Sequence, residues 1–420
     1  MGVTMLTEAE AFLPRIRAYP DDDAQRLIFA DWLDEQGDPR GRFIRVQLAL
    51  AHLPEDDPAL ERLLITENEL LAAHRKEWEA PFRGLATGLV FRRGFVDELN
   101  VEGRHFVRHA HEIFDASPVR HVHLLDLGGS LTAVMQSSYL SRLAALTIHA
   151  QHTGEPLARA VARCEHLSGL KRLALTRNRL DDAAVEHLAT SPTLTNLEEL
   201  DLSENEIGET GGRTLAASPN FAKLSRLEMG HNRLGPVGAE SLAGSERLVA
   251  LRRLGLSDND IGIPRLHSLA HAHNLLRVPV LDLSRNGLTT TGLQAIFSRP
   301  PGADASAVRL AELDLSHNEL GDAGAAVLAS CACLDRVGVL RLVDCVIGHE
   351  GARALANSPH LNELVLLDLS NNPITDAGFR PFLATPHLRS LRRLIPPSIG
   401  VSRVTLNDLA ERFNRPLRRG

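Results

Sequence analysis

Aliphatic residues recur along most of the chain in the order L-x-x-L-x-L-x-x-N-x-L. The clearest copies begin Leu170-Lys-Arg-Leu173-Ala-Leu175-Thr-Arg-Asn178-Arg-Leu180 and Leu197-Glu-Glu-Leu200-Asp-Leu202-Ser-Glu-Asn205-Glu-Ile207. Further copies start at Leu224, Leu251, Val278, Leu310, Val337 and Leu364, with a partial last copy at Leu391 and weaker early ones at Val96, Val119 and Leu143. From Leu143 onward the starts are 27 residues apart, apart from one 32-residue step between Val278 and Leu310. The extra residues sit in Pro300-Pro301-Gly302-Ala303-Asp304-Ala305, which reads as a loop extension. Near Val119 a second phase, through Val122-Leu125-Leu127, fits almost as well.

Each copy predicts one coil. The L-x-L core is a short strand with two leucines inward and the residue between them outward. The Asn carries the chain round a turn, and its amide can pair backbone groups of adjacent coils that are otherwise buried without partners. Asn178, Asn205, Asn232, Asn259, Asn286, Asn318 and Asn372 form this structural ladder, with Gln151 and Cys345 replacing Asn in two copies. A Gly-rich step such as Gly321-Asp322-Ala323-Gly324 follows, then a helical stretch, Ala325 to Ala329, with Leu328 facing the core. The few aliphatic side chains of one coil cannot offset the conformational entropy of ordering it, so coils must stack.

The repeat resembles the ribonuclease-inhibitor-like class of leucine-rich repeats over residues 143–394. The resemblance implies an α/β fold: a right-handed leucine-rich-repeat solenoid with a parallel concave sheet and convex helices. A small N-terminal all-α domain precedes it. Thr7-Glu8-Ala9-Glu10 is a capping-box signature for a first helix running to Ala18, and a second helix starts in Asp21-Asp22-Asp23 and stops at Gly37 before Pro39. A third places Phe43, Ile44, Gln47, Leu48 and Ala51 on one face. The fourth, from Pro58 to Glu79, has Leu60, Leu63, Leu64, Leu71 and Trp78 as anchors. Ala30-Asp31-Trp32-Leu33 with Gly37-Asp38-Pro39, continuing to Phe43-Ile44-Arg45-Val46-Gln47, resembles the bacterial repeat-companion domain. Arg42 departs from the acidic residue more usual before that Phe. The segments are then 1–83, the helical domain; 84–142, the first degenerate repeats; 143–394, the regular repeats; and 395–420, a C-terminal cap with a basic tail.

Charge and aromatics divide along the same line. Residues 1–83 hold 17 acidic and 10 basic side chains, while the rest has 36 of each, so the net charge of −7 belongs to the N-terminal segment. That argues against a nucleic-acid footprint there. Trp32, Trp78, Tyr19, Tyr139 and eight of 13 Phe precede residue 140, predicting an aromatic N-terminal core and an aliphatic remainder. Leader-like and membrane-spanning apolar runs are absent from the sequence, and four Cys make no disulfide framework, so the chain reads as cytoplasmic.

The outward residue between the strand leucines is acidic in five copies: Asp201, Glu228, Asp282, Asp314 and Asp368. Ala174 and Gly255 interrupt the row and Arg341 reverses its sign. With Arg172, Arg226 and Arg253 in a parallel row, these are the concave-face candidates for partner binding. Arg393, Glu199 and Glu312 belong to that second row, and lateral pairing would consume part of the charge. His121-x-His123 puts two imidazoles on one strand face, with His149 on the next strand and His105 and His109 on a nearby helix. With no carboxylate placed as a third ligand, no metal is assigned. Cys164 and Cys331 fall where other copies carry Ser191, Ser218, Ser245 and Ser358 and read as small structural residues, and Cys331-x-Cys333 is not the two-spacer redox motif. The Arg-rich end (Arg389, Arg392, Arg393, Arg403, Arg412, Arg415, Arg418 and Arg419) reads as a capping helix around Thr405–Phe413. No phosphate-binding loop, nucleophile elbow or HExxH occurs, so no catalytic residue and no cofactor is assigned. The expectation is a non-enzymatic, monomeric scaffold for a protein partner, with neither nucleic acid nor membrane. The alternative is a regulatory factor for an enzyme, either a GTPase activator-like protein or a substrate adaptor.

Overall fold

The computed structural model describes residues 11–54, 57–262, 275–297 and 310–413. The capping box at 7–10, the loop extension at 300–305 and the basic tail beyond Phe413 lie outside them. The chain forms two compact units: Met1–Gln151 with Arg163–Ala174, and His152–Ala162 with Leu175–Gly420. Within each, strands stack in chain order on one side and helices lie on the other, which is the architecture of a leucine-rich-repeat solenoid. Among the described residues no helix is long and apolar enough to cross a membrane.

The N-terminal unit opens with helix α1, described over 11–18, then α2 (Asp23–Glu35), α3 (Pro39–His52) and α4 (Leu60–Trp78). Asp22 caps α2 by accepting from Ala24 N at 2.9 Å, and Asp38 caps α3 by accepting from Arg40 N at 2.8 Å, with Pro39 in the first turn where no donor is missed. Strand β1 (Thr87–Arg92) turns through Arg93-Gly94, both at positive φ, into β2 (Phe95–Val101), and the two pair antiparallel. A Cβ on Gly94 would collide with Ile44, so the turn seats against α3 only with glycine. Strands β3 (His121–Leu124), β4 (Ala145–Ile148) and β5 (Arg172–Ala174) then add in parallel, and α5 (Gly103–Ala116) connects β2 to β3. Leu99 pairs with Val122 and Leu146 with Val122, so the repeat phase starting at Val119 is the one adopted.

The α1–α4 helices pack on the first strands. Phe43 stacks on Trp78 with centroids 4.6 Å apart and meets Phe91 edge-on at 5.8 Å, and Phe29 lies 6.0 Å from Phe95. Buried Gln47 accepts from Gly94 N at 2.6 Å and donates to Phe91 O at 3.1 Å, tying α3 to the hairpin. Two expected anchors are corrected. Ala51 is exposed, and so is Leu64, at 41%. Leu60, Leu63 and Leu71 are half-buried, and Trp78 is the α4 residue that is fully covered. α3 shields one narrow side of α4, so a leucine stripe wider than that contact stays wet.

The C-terminal unit contributes β6 (Glu199–Asp201), β7 (Arg226–Glu228), β8 (Arg253–Gly255), β9 (Val280–Asp282), β10 (Glu312–Asp314), β11 (Val339–Arg341), β12 (Leu366–Asp368) and β13 (Arg393–Ile395). Every described pairing among them is parallel and in register, including Leu313 beside Leu281 and Leu340. From Asn205 onward each ladder amide reaches two coils. Asn205 donates to Leu175 O at 2.9 Å in the coil before and to Leu202 O at 2.8 Å in its own, while its carbonyl accepts from Asn178 N and Leu180 N. Asn232, Asn259, Asn286, Asn318 and Asn372 repeat the donation to the preceding coil. Cys345 keeps part of it through Sγ to Leu315 O at 3.3 Å, and burial pushes its thiol up to about 12. In the N-terminal unit Gln151 makes comparable bonds, accepting from Leu127 N at 2.9 Å and donating to Leu125 O.

A second file of hydroxyls runs on the helical side. Ser191, Ser218, Ser245 and Ser358 each donate to the carbonyl 29 residues earlier, at 2.5–2.7 Å. Cys164 does the same in the N-terminal unit, to Met135 O at 3.1 Å. Cys331, expected as another small residue of this kind, is instead disulfide-bonded to Cys333, their Cα atoms standing 5.3 Å apart in reach of a bridge. The last coil is followed by a helix, Arg403–Phe413, that buries Leu409 and Phe413 and whose Arg412 donates to Leu383 O and Thr385 O.

Candidate functional site

On the sheet face of the C-terminal unit the outward residues form two rows. One reads Asp201, Glu228, Gly255, Asp282, Asp314, Arg341 and Asp368; the other reads Glu199, Arg226, Arg253, Val280, Glu312, Val339, Leu366 and Arg393. Arg172, the remaining candidate, stands exposed on β5 of the N-terminal unit, beside Ala145.

The acidic residues are not equivalent. Glu228 is held by Arg226 at 3.0 Å and Arg253 at 2.6 Å, so its charge is met within the chain. That hydrogen bond to Glu228 raises the Arg253 guanidinium above its ordinary range, with Asp282 and Glu312 contributing at longer reach. Arg341 lies 3.8 Å from Glu312. Asp201, Asp282, Asp314 and Asp368 are held differently. One carboxylate oxygen of each accepts from the backbone N–H two residues on, at Ser203, Ser284, Ser316 and Ser370, at 2.9 Å in every case. This Asx-type turn explains the recurrent Leu-Asp-Leu-Ser. The carboxylate caps the strand end with one oxygen and keeps a second for other contacts. All four residues are half-buried, and Asp282 and Asp314 stand side by side in register.

Beside the strands runs a rim that the leucine pattern does not reveal. In the C-terminal unit the residue before each ladder Asn, and before Cys345, has positive φ: Arg177, Glu204, His231, Asp258, Arg285, His317, Asp344 and Asn371. None is glycine, at a cost of about 1 kcal/mol or more each. Coil stacking offsets it, because the following amide is locked by up to five hydrogen bonds, as at Asn205. Arg177 pairs with Glu204, His231 with Asp258 at 2.6 Å, and His317 with Asp344 at 3.2 Å, so the acidic residues of this rim are met by neighbours within the chain. The alternation of basic and acidic residues from Arg177 to Arg285, at the 27-residue period, was the available signal.

The N-terminal unit carries a different cluster on its own sheet face. Glu98 of β2 stands opposite His121 of β3, and His123 follows on the same face. His123 Nε2 lies 2.9 Å from a Glu98 oxygen, His121 Nδ1 lies 3.5 Å from the other, and Thr147 Oγ1 is 3.0 Å from His121 Nε2. Burial, followed by the neighbouring His123, lowers the His121 imidazole to about 4, against the opposing pull of Glu98. Burial resists ionisation of Glu98, yet hydrogen bonds from His123 and Arg92 bring it below the usual carboxylate range. The carboxylate that the two imidazoles lacked on sequence grounds is therefore Glu98, 23 residues before His121 and brought abreast of it by strand pairing. His109 meets Glu112 at 2.8 Å on α5, and His105 stacks edge-on against it.

A family model described as "Leucine Rich repeat" matches residues 193–216, 222–243, 280–297, 310–329 and 357–382, and the stacked coils over this region are leucine-rich repeats. No curated protein matches the chain. Among solved structures, an internalin (inlF) from Listeria monocytogenes is similar at 17% identity, covering 71% of this chain and 86% of that one, with a TM-score of 0.43. The Rad7 and Elc1 complex in yeast is similar at 15% identity, covering 91% of this chain and 87% of that one, with a TM-score of 0.47.

Proposed function

We propose that the chain is a non-enzymatic scaffold that binds a protein partner through the sheet face of its C-terminal unit, and that the complementary surface is basic. Stacked repeats characteristically serve as extended binding surfaces. The observation that carries the reading is the register pair Asp282–Asp314, with Asp368 on the far side of Arg341 two strands away. Like charges abreast on neighbouring strands are unfavourable, and a cationic partner side chain relieves them. Glu228 is the weaker candidate, being held by two arginines already.

Segment 1–83 is, in the same reading, a helical repeat-companion domain, and the 27-residue coils are ribonuclease-inhibitor-like. The chain acts as a cytoplasmic monomer, with functional segments 1–83, 84–142, 143–394 and 395–420. Reversing both charges, Asp282→Lys with Asp314→Lys, tests the site. Capture of partners from the native host should fall at least about tenfold, with the melting temperature close to wild type. Undiminished capture by the folded variant moves the interface off this face.

A further inference from the structure

We propose that Glu98, His121 and His123 form a binding site for one divalent transition-metal ion of the zinc class, on the sheet face of the N-terminal unit. The site is independent of the acidic row, which belongs to the other unit. β2 and β3 pair in parallel with Glu98 opposite His121, and alternation along β3 returns His123 to the same face. Neighbouring strands lie about 4.8 Å apart, so side chains of these three positions converge above the sheet. Their ligand atoms all fall within 4.8 Å of one another. Donor atoms held at about 2.0–2.1 Å around a tetrahedral ion sit about 3.4 Å apart. One Glu98 oxygen lies 2.9 Å from His123 Nε2 and the other 3.5 Å from His121 Nδ1, so the carboxylate lies between the two imidazoles at close to that spacing, and small side-chain rotations bring one oxygen and both nitrogens onto a single ion.

The donor set selects the ion. Two imidazole nitrogens and one carboxylate suit zinc, cobalt, nickel or ferrous ions, whereas calcium and magnesium prefer oxygen throughout. The surroundings orient the ligands. Thr147 Oγ1 meets His121 Nε2, which leaves Nδ1 as the ligating nitrogen, while His123 presents Nε2. Leu99 and Val122, the residues of β2 and β3 on the opposite face, are fully buried and fix the strands that carry the ligands. The three ligand side chains keep 17–27% of their surface, which leaves a fourth coordination position to water or to a side chain of a partner. Two cationic groups oppose the ion: exposed Arg172 of β5 is near enough to act on His121, and Arg92 donates to Glu98 at 3.1 Å. Arg92 is 61% exposed and can move into solvent when the ion enters.

The test uses the full chain, stripped with a chelator and titrated with Co2+ as a spectroscopic stand-in, followed by Zn2+. The expected result is one saturable equivalent with the visible bands of four-coordinate cobalt, displaced by Zn2+. His123→Ala and the isosteric Glu98→Gln should weaken binding at least about tenfold. Arg92→Gln should tighten it, and His105→Ala on α5 should leave it unchanged. Circular dichroism checks that each variant is folded; if His123→Ala is not, Glu98→Gln and the exposed Arg92→Gln decide. The proposal is overturned if the wild type takes up no saturable equivalent. It also fails if folded Glu98→Gln and Arg92→Gln both bind as wild type does, since the cluster is then a hydrogen-bonded His–Glu network only.

Discussion

The N-terminal unit holds its first strands with aromatic rings and an antiparallel hairpin, whereas the C-terminal unit uses aliphatic side chains and a file of buried amides. Phe43, Trp78, Phe91, Phe29 and Phe95 are specific to their places, and no other coil could exchange them. Asn205, Asn232 and Asn259 make nearly the same bonds at each step. A coil inside a stack needs only what its neighbours already supply. An end coil has one face without a neighbour, and here α1–α4 and β1 cover it with parts that do not repeat.

The sharpest way to break this contrast is to remove the cover. A chain beginning at residue 84 loses α1–α4 and exposes Phe91 and Phe95 along the hairpin, so it should aggregate or melt well below the full chain. Phe43→Ala alone should cost about 3–5 kcal/mol in chemical denaturation. A residue-84 chain that stays monomeric and melts like the intact protein would mean the helices are an independent head rather than a cap.

A smaller effect separates the two ladders. Asn259 is fully buried and bonds two coils, so Asn259→Ala should cost about 1–3 kcal/mol. Gln151 is partly solvated, and Gln151→Ala should cost less, about 1 kcal/mol or under. Equal losses at the two positions would dissolve the distinction. The smallest effect is chemical. Burial raises both free thiols, that of Cys345 to about 12, so near pH 8 they are protonated and covered. Alkylating reagents should label neither Cys164 nor Cys345 until the chain is denatured. Rapid labelling of Cys345 in the native protein would show that its coil opens locally.

Much of the repeat region was legible in advance because its period is local. Leucine spacing, the Asn positions and the helix after each Gly-rich step are all set within one coil. The first repeats were harder. The phase at Val119 was settled only by pairing, which puts Val122 between Leu99 and Leu146. Strand β1 has no repeat signature, and it pairs antiparallel because the Arg93-Gly94 turn sends the chain straight back. The Leu64 stripe misled because helical periodicity reports an apolar face and not how much of it a neighbour covers.

The amino-acid sequence by itself therefore determined the coil: which residues turn inward, where the chain turns, and why coils must stack. Tertiary structure decided what depends on residues far apart in the chain. It placed Glu98 beside His121, divided the acidic row into arginine-held Glu228 and the Asp282–Asp314 pair, and matched Arg177 to Glu204 across one turn of the stack. The physical reason is range. Backbone propensity and side-chain alternation act over a few residues, while charge pairing and ligand geometry depend on strand register, which exists only after the coils have stacked.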